Sequence, residues 1–228
     1  MTLGPWQPLQ LGASRHAGVG PADEGDLSGV WRREGRSIGG SRMVEPSLVV
    51  WVQVDEWFAD VRLPRAARRP ARVHDLGELD RAQAFSGRLA RDGDRARFVH
   101  DLDTLARSSS DEASISWHGE LLHESGDGYV ERWRRVVAAS SALPEGSVTV
   151  VERRSTAGRG GTPQVVSRVV QVGDVAAAVW SSPMPGGLLL QRASTRPRRP
   201  VSGRWHHVAE AGDPRGSLGI EEVLAGLG

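Results

Sequence analysis

Four titratable residues have the spacing needed to share one site in the folded chain. Asp60 and Arg62 lie two residues apart in the segment VVWVQVDEWFADVRLP, residues 49–64, and His100 and Glu131 lie in similar segments further along. Residues two apart in a strand point to the same side. Burial raises the pKa of a carboxyl group and a nearby guanidinium lowers it, so such a set can be tuned for proton transfer. We therefore interpret Asp60, Arg62, Glu131 and His100 as candidate catalytic residues for acid-base chemistry.

Aromatic and amide side chains accompany these four residues in the predicted pattern. A mostly apolar wall with few polar groups is typical of a site for a small organic molecule. The candidates for ligand binding are Trp31, Trp51, Gln53, Phe58, Gln83, Phe85, Phe98, Tyr129 and Trp133. The predicted partner is a small apolar or amphipathic organic molecule.

The same residues also have a structural interpretation. Asp60, Arg62 and Glu131 fit a buried ion network that fixes the fold and touches no ligand. The aromatic side chains fit an ordinary core, and His100 fits either interpretation. A carrier protein needs a lumen that is apolar throughout, whereas inward titratable groups in mutual contact favour catalysis.

Metal and cofactor chemistry have little support in the sequence. The chain has no Cys, so thiolate ligands are excluded. His118 and His123 are predicted on opposite faces, and the adjacent His206 and His207 cannot both point inward along one strand. A haem with His100 as its axial ligand remains conceivable. No Walker loop or dinucleotide fingerprint is present, and we predict neither a metal nor a cofactor.

The segment 49–64 also gives the clearest structural element. Two apolar runs flank Asp55-Glu56, which predicts a β-hairpin with a tight turn. In that register Gln53 faces Phe58, Trp51 faces Asp60 and Val49 faces Arg62. The opposite face is wholly apolar, and it consists of Val50, Val52, Val54, Trp57, Ala59, Val61 and Leu63.

Further turn signals occur at 92–93, 125–128 and 173–174. The first places Phe98, His100 and Leu102 on one face, and the second places Glu131 and Trp133 beside Leu122 and Glu124. Short strands with regular turns predict an all-β fold, a closed antiparallel up-and-down barrel of about ten strands. Residues 1–26 are predicted to be a flexible arm, 27–228 a single β-barrel domain, and Leu218 to Leu227 a short helix.

Composition narrows the classes of partner. The 228 residues carry a formal net charge of +1, so no global field attracts nucleic acid or an anionic membrane. No apolar run approaches the roughly 20 residues of a membrane span, and the first residues lack the pattern of a signal peptide. These features, with the absence of Cys, predict a cytoplasmic protein without nucleic-acid or membrane partners.

Several segments resemble a known family. Gly29-Val30-Trp31 resembles the Gly-x-Trp signature of lipocalins and other calycins, in which the Trp closes one end of the barrel. VVWVQ at 49–53, ADVRLP at 59–64, QAFSG at 83–87 and YVERW at 129–133 together resemble a lipocalin-like family of bacterial proteins, distantly similar to a fungal lipocalin-like protein of poorly defined activity. The resemblance covers roughly residues 28–136 and implies a barrel that holds a ligand.

The functional expectation follows from the candidate residues and the resemblance together. We expect a cofactor-independent isomerase, cyclase or lyase that works on a specialised metabolite, for example in antibiotic biosynthesis, by acid-base catalysis in the barrel lumen. The alternative is a binding or carrier protein for a small apolar ligand without chemistry.

Overall fold

The computed structural model describes residues 3–11, 25–64, 83–104, 110–139, 143, 146–155, 162–181, 185–192, 205–212 and 220. These residues contain fourteen strands. The strands are β1 Leu3–Pro8, β2 Gly29–Ile38, β3 Ser47–Val54, β4 Trp57–Pro64, β5 Gln83–Asp92, β6 Arg95–Asp103, β7 Ser110–His118, β8 Leu121–Gly126, β9 Tyr129–Ala138, β10 Val148–Ser155, β11 Val165–Val172, β12 Val175–Trp180, β13 Gly186–Arg192 and β14 Trp205–Gly212. No helix among them is long and apolar enough to cross a membrane.

Strands β2 to β9 form a closed antiparallel barrel in sequential order, with β9 returning to pair with β2. The all-β class and the closed up-and-down barrel are therefore confirmed. The predicted strand number is wrong, because the barrel has eight strands rather than about ten. The later strands do not extend the barrel, because the pairing of β9 with β2 closes it first.

The remaining strands form a six-stranded sheet in the order β1-β10-β11-β12-β13-β14. Its first edge comes from the predicted N-terminal arm, since Leu3 pairs with Ser155 and Pro8 with Val151. Residues 12–24 of that arm lie outside the described residues. Within the helix predicted at 218–227, only Ile220 is described, and it is helical and fully buried.

The predicted register of the β3–β4 hairpin is confirmed. Gln53 pairs with Phe58, Trp51 with Asp60 and Val49 with Arg62. Asp55, in the two-residue turn, has a φ of 49°, a left-handed conformation that Asp tolerates better than most residues. This register sends the mixed aromatic and charged face into the barrel.

The wholly apolar face of the hairpin points outward and is covered by the second sheet. Val50, Val52 and Val61 pack in one buried cluster with residues of the sheet such as Val170 and Val179. A second cluster fills the barrel, and a third lies on the far side of the sheet around Trp180. The sheet is therefore packed on both of its faces.

A bulge between β5 and β6 changes which side chains face inward. Gly87 pairs with His100, whereas Ser86 pairs with Leu102, so Asp101 is an extra residue on β6. Leu102 therefore joins the cluster between barrel and sheet. The prediction that Leu102 shares a face with His100 is wrong, because strict alternation does not hold across a bulge.

Candidate functional site

Tryptophan side chains pack together inside the barrel. The rings of Trp31 and Trp51 stack with centroids 5.5 Å apart, and Trp133 meets Trp51 edge-on at 5.6 Å. The Trp31 indole N–H donates to the Leu27 carbonyl at 2.8 Å, and the Arg135 guanidinium lies 4.5 Å from the Trp31 ring centroid. Trp31, which was predicted to bind ligand, is therefore packed among these rings. It does not line the small cavity of the barrel that is described below.

Gln53 and Gln83 do not line that cavity either. The Trp51 indole N–H donates to Gln53 Oε1 at 2.9 Å, and Gln53 Nε2 donates to the Asp55 carbonyl at 2.5 Å. Gln53 thus uses its amide to fasten the hairpin turn. Gln83 pairs with Arg62 where β5 begins, at the rim of the barrel.

A small cavity remains at the end of the barrel where β4 ends and β5 begins, and we name it the mouth cavity. Its wall consists of Trp51, Phe58, Asp60, Arg62, Phe85, Phe98, Asp111, Glu124 and Trp133. The centre of a water molecule has about 10 Å³ available there. That space holds about one water molecule. The lumen is therefore mostly filled, and only a group of about that size enters without rearrangement.

Trp51, Asp60, Arg62 and Trp133 lie around one cavity, as the predicted pairing of the strands indicated. Arg62 donates to both oxygens of Asp60, at 3.0 Å from Nε and 3.2 Å from an Nη atom, and its other Nη atom lies 3.6 Å from Glu131 Oε1. A two-point contact of this kind fixes the guanidinium geometrically.

Glu131 is held from the other side by β2. Arg33 donates to Glu131 Oε1 at 2.5 Å and to Glu45 Oε2 at 2.7 Å, and Arg36 Nε lies 3.4 Å from Glu131 Oε1. Glu131 is almost fully buried but does not itself line the mouth cavity. Its place in the site is behind Arg62, which it helps to position.

Burial shifts the proton affinity of this pair. Burial raises the pKa of the Asp60 carboxyl above its usual range, although Arg62 pulls the pKa in the opposite direction. Burial would lower the pKa of the Arg62 guanidinium, but the carboxylates of Asp60 and Glu131 outweigh it and raise that pKa. Arg62 therefore stays charged.

Glu124 is a second carboxyl in the wall whose pKa is raised. Burial, followed by the negative charge of Glu131, raises its pKa to about 8. The Tyr129 hydroxyl donates to Glu124 Oε1 at 3.1 Å, and burial raises the pKa of that phenol as well. Sequence reasoning placed Glu124 on the face of Glu131 and Trp133 but did not select it. The four-residue turn predicted at 125–128 placed Glu124 opposite Tyr129, whereas the structure pairs Glu124 directly with Glu131.

His100 does not line the mouth cavity with the other catalytic candidates. Its ring stacks on Phe85 with centroids 4.6 Å apart, and Nδ1 lies 3.4 Å from Asp103 Oδ2. Its Nε2 is buried and has no hydrogen-bond partner among the described residues. Asp111, which does line the cavity, is a residue that sequence reasoning missed.

The predicted placement of two histidines is wrong. His118 and His123 stack with ring centroids 4.1 Å apart. The turn at Gly119-Glu120 pairs His118 with Leu121 and Ser116 with His123, so both rings share one face. Nevertheless, no group of three or more His, Asp or Glu side chains in the described part of the chain is arranged to hold a metal ion. The side chains of His206 and His207 lie outside the description.

A larger hollow of about 660 Å³ lies on the barrel surface, along residues 90–97, 112–114 and 125–127. Its Arg97–Glu112 ion pair is more than half exposed on both sides. Exposed pairs of this kind contribute little energy. We therefore take the mouth cavity as the candidate site.

Comparisons with known proteins support the fold alone. A crystal structure of an uncharacterized protein from Saccharomyces cerevisiae aligns with 81% of this chain and 85% of its own, with a TM-score of 0.51 and 14% identity. No family model matches the chain, and no curated protein matches it. The fold and the site together define the class, an eight-stranded antiparallel barrel covered by a second sheet, with a carboxyl-rich cavity at its mouth.

Proposed function

We propose that this chain is a lipocalin-like barrel whose mouth cavity binds a small organic molecule and catalyses a cofactor-independent isomerisation, cyclisation or elimination on it. The observation that carries the proposal is the meeting of the Asp60–Arg62 pair with the proton-holding Glu124 in one aromatic wall. The proposed substrate is a specialised metabolite, and the proposed location is the cytoplasm.

Acid-base catalysis needs one group that gives a proton and one that accepts it. Glu124 carries its proton near neutral pH, because its pKa is about 8, and so it can act as the acid. Asp60 is the proposed base, with Arg62 fixing its orientation through two hydrogen bonds. Glu131 positions Arg62, and His100, packed on Phe85, has no direct role in this scheme.

Phe58, Phe85 and Phe98 form the apolar part of the wall, next to the carboxyl groups. Apolar surroundings strengthen the interaction of a bound molecule with the few charges that remain. This combination supports catalysis over passive carriage. A carrier without chemistry remains the second candidate, because the tryptophan rings packed inside the barrel would equally suit a protein that only binds.

The substitution Asp60→Asn tests the catalytic assignment. The ligand or substrate is first identified by mass spectrometry of small molecules that copurify with the protein. We expect the variant to lose turnover while its affinity for that molecule changes by less than roughly tenfold, because the proton acceptor is lost while the side-chain shape is kept and Arg62 still has Glu131 as an anionic partner. Asp174→Asn, in the turn between β11 and β12, is the control and should keep both properties.

The outcomes separate the two candidates. Normal turnover by the Asp60→Asn variant would remove Asp60 from the catalytic machinery. If the copurified molecule is chemically unchanged after prolonged incubation with the wild-type protein, that result would favour a carrier without chemistry.

A further inference from the structure

The charges that line the mouth cavity are unbalanced. Three carboxyl groups, those of Asp60, Asp111 and Glu124, share the wall with one guanidinium, that of Arg62. Arg62 is already occupied, because two of its nitrogens donate to Asp60 and the third lies closest to Glu131. The cavity therefore presents more acid groups than its one lining cation balances.

When Glu124 has lost its proton, above its pKa of about 8, the unused hydrogen-bonding capacity around the cavity is that of acceptors. Tyr129 donates to one oxygen of Glu124, and the other oxygen receives no donor from the described residues. Glu124 is only 5% exposed, so this oxygen depends on the cavity for a partner. Glu131 Oε2, on the residue paired directly with Glu124, is likewise buried without a partner in the described part of the chain. Buried acceptors left in this way are costly unless a ligand or water satisfies them.

The proton affinities support the same conclusion. After burial, the charges of Glu131 and Asp111 are among the causes that raise the pKa of Glu124. The charges of Glu124, Asp111 and Glu131 also raise the pKa of the Tyr129 phenol after burial. Two neighbouring groups therefore respond to negative potential at the same point, which a bound cation would relieve.

The size of the space restricts the cation. The water-sized space of about 10 Å³ suits a primary ammonium group, which has three N–H donors. The rings of Phe85 and Phe98 lie in the same wall, where an ammonium group in the cavity would be close to them. No metal-holding group of three side chains occurs among the described residues, so an organic cation fits better than a metal ion.

We propose that the mouth cavity binds the primary ammonium group of a small amine, with the carboxyl groups of Glu124 and Asp111 as its partners and the carbon atoms of the amine outside the cavity. This inference rests on the proposed small-molecule site and names its substrate class.

Binding is coupled to one proton. Glu124, on β8, is faced by Arg62 from β4, Asp111 from β7, and Tyr129 and Glu131 from β9. Glu131 in turn contacts Arg33 and Arg36 from β2. An ammonium ion competes with the proton on Glu124, whose pKa is about 8, so affinity increases as pH rises toward that value.

The test is a fluorescence titration of the whole protein with three probes of matched shape: benzylammonium, benzyl alcohol and benzoate. The signal is tryptophan fluorescence, to which Trp51 and Trp133 in the cavity wall contribute. Benzylammonium should bind roughly fiftyfold more tightly at about pH 8 than at about pH 6, because the proton must leave Glu124 and the ionised fraction of that group changes by this factor. Glu124→Gln should remove this pH dependence and weaken binding at the higher pH by about tenfold. Asp127→Asn, the same loss of charge in the β8–β9 turn outside the cavity wall, should change neither.

Several results would overturn the ammonium assignment. Tighter binding of benzyl alcohol or benzoate would do so while leaving the small-molecule site in place. Equal binding of benzyltrimethylammonium would contradict the size argument, and displacement of benzylammonium by equimolar Ca²⁺ would assign the carboxyls to a metal. If none of the probes binds, the inference is also overturned. The catalytic proposal is tested separately, by measuring turnover of the Asp60→Asn variant.

Discussion

At the scale of single residues, two buried carboxyl groups of one cavity differ because their partners differ. Asp60 receives two hydrogen bonds from a guanidinium, whereas Glu124 receives one from a neutral phenol and faces the charge of Glu131. Burial raises the pKa of both groups, but only Asp60 has a cation bound directly to it. The bonded partner of each carboxyl therefore decides its suitability as base or acid.

Glu124→Gln should change how stability depends on pH. The pKa of Glu124 is raised from 4.5 to about 8, so between these values the folded state holds a proton that the unfolded chain has released. The free energy of unfolding then falls as pH rises through this window, by up to about 1.4 kcal/mol per pH unit, and levels off above it. Asp60, whose pKa is also raised, contributes with the same sign and is kept in both proteins. Glutamine has the same shape without the proton, so the variant should show a shallower fall.

Urea unfolding of wild type and variant at about pH 5.5 and about pH 8.5 gives the comparison. Asp127→Asn, which removes an exposed acid from the neighbouring turn, should keep the wild-type slope. Identical slopes for the wild type and Glu124→Gln would show that Glu124 is ionised in the folded protein.

The candidate site could be predicted from sequence only as far as local pairing reaches. The two-residue turn at Asp55-Glu56 fixed the register that brings Trp51 beside Asp60, and the structure agrees. The proton affinity of Glu124 could not be predicted, because it depends on which cation reaches which acid across the barrel. Arg33, from β2, binds Glu131, and no spacing along the chain indicates that contact.

At the scale of elements, the β5–β6 hairpin shows why alternation has limits. Its turn was predicted at 92–93 but lies at 93–94, because Asp92 pairs with Arg95, and the bulge between Ser86 and Gly87 was not predicted. The bulge turns the extra residue, Asp101, toward the second sheet, where its carboxylate accepts a hydrogen bond from Arg168 at 2.6 Å. Gly87 could have indicated the bulge, because a glycine inside a strand often marks a bulge or a close approach of two backbones.

Gly87→Ala should destabilise the barrel strongly. A Cβ atom at this position would lie 1.7 Å from the Val99 carbonyl oxygen, so the two strands would have to separate. We expect a loss of about 3 kcal/mol or more in the free energy of unfolding, because the clash is with backbone rather than a movable side chain. Urea unfolding monitored by tryptophan fluorescence measures it.

The matched control is Gly4→Ala on the edge strand β1. There the nearest atom to a new Cβ is the Arg154 carbonyl oxygen at 3.1 Å, which a small shift relieves. This variant should lose less than about 1 kcal/mol. Equal losses in the two variants would mean that the approach of β5 to β6 at Gly87 is not tight.

At the scale of the whole molecule, the barrel and the sheet form two layers that share one apolar interface. The outer face of the β3–β4 hairpin packs against β10 to β13. Strands β11 and β12 are buried at nearly every position, as Val-rich and Ala-rich strands covered on both faces are. That continuous apolar composition was visible in the sequence. The division into eight barrel strands and a separate sheet was not, because the turns in both halves have the same chemistry and closure depends on the distant pairing of β9 with β2.

A buried ion cluster joins the two layers, and its loss should weaken both. Arg168 of β11 is 1% exposed, donates to Glu152 of β10 at 3.0 Å and to Asp101 of the barrel at 2.6 Å, and lies 4.6 Å from the Trp57 ring centroid. Arg168→Met keeps the volume but leaves Glu152 buried without this cation. We expect a loss of about 3–5 kcal/mol, as for other buried pairs broken on one side.

Arg97→Met breaks the exposed pair with Glu112 and serves as the control, with an expected loss below about 1 kcal/mol. Adding Glu152→Gln to Arg168→Met should restore part of the stability, because without Arg168 the buried Glu152 carboxylate has only the half-exposed Arg154 as its cation partner. Amide hydrogen exchange then shows how far the effect spreads. Because Arg168 contacts both layers, protection should fall at Val52 in the barrel as well as at Val169 in the sheet. A fall confined to the sheet would show that the barrel unfolds independently and that the ion cluster stabilises only one layer.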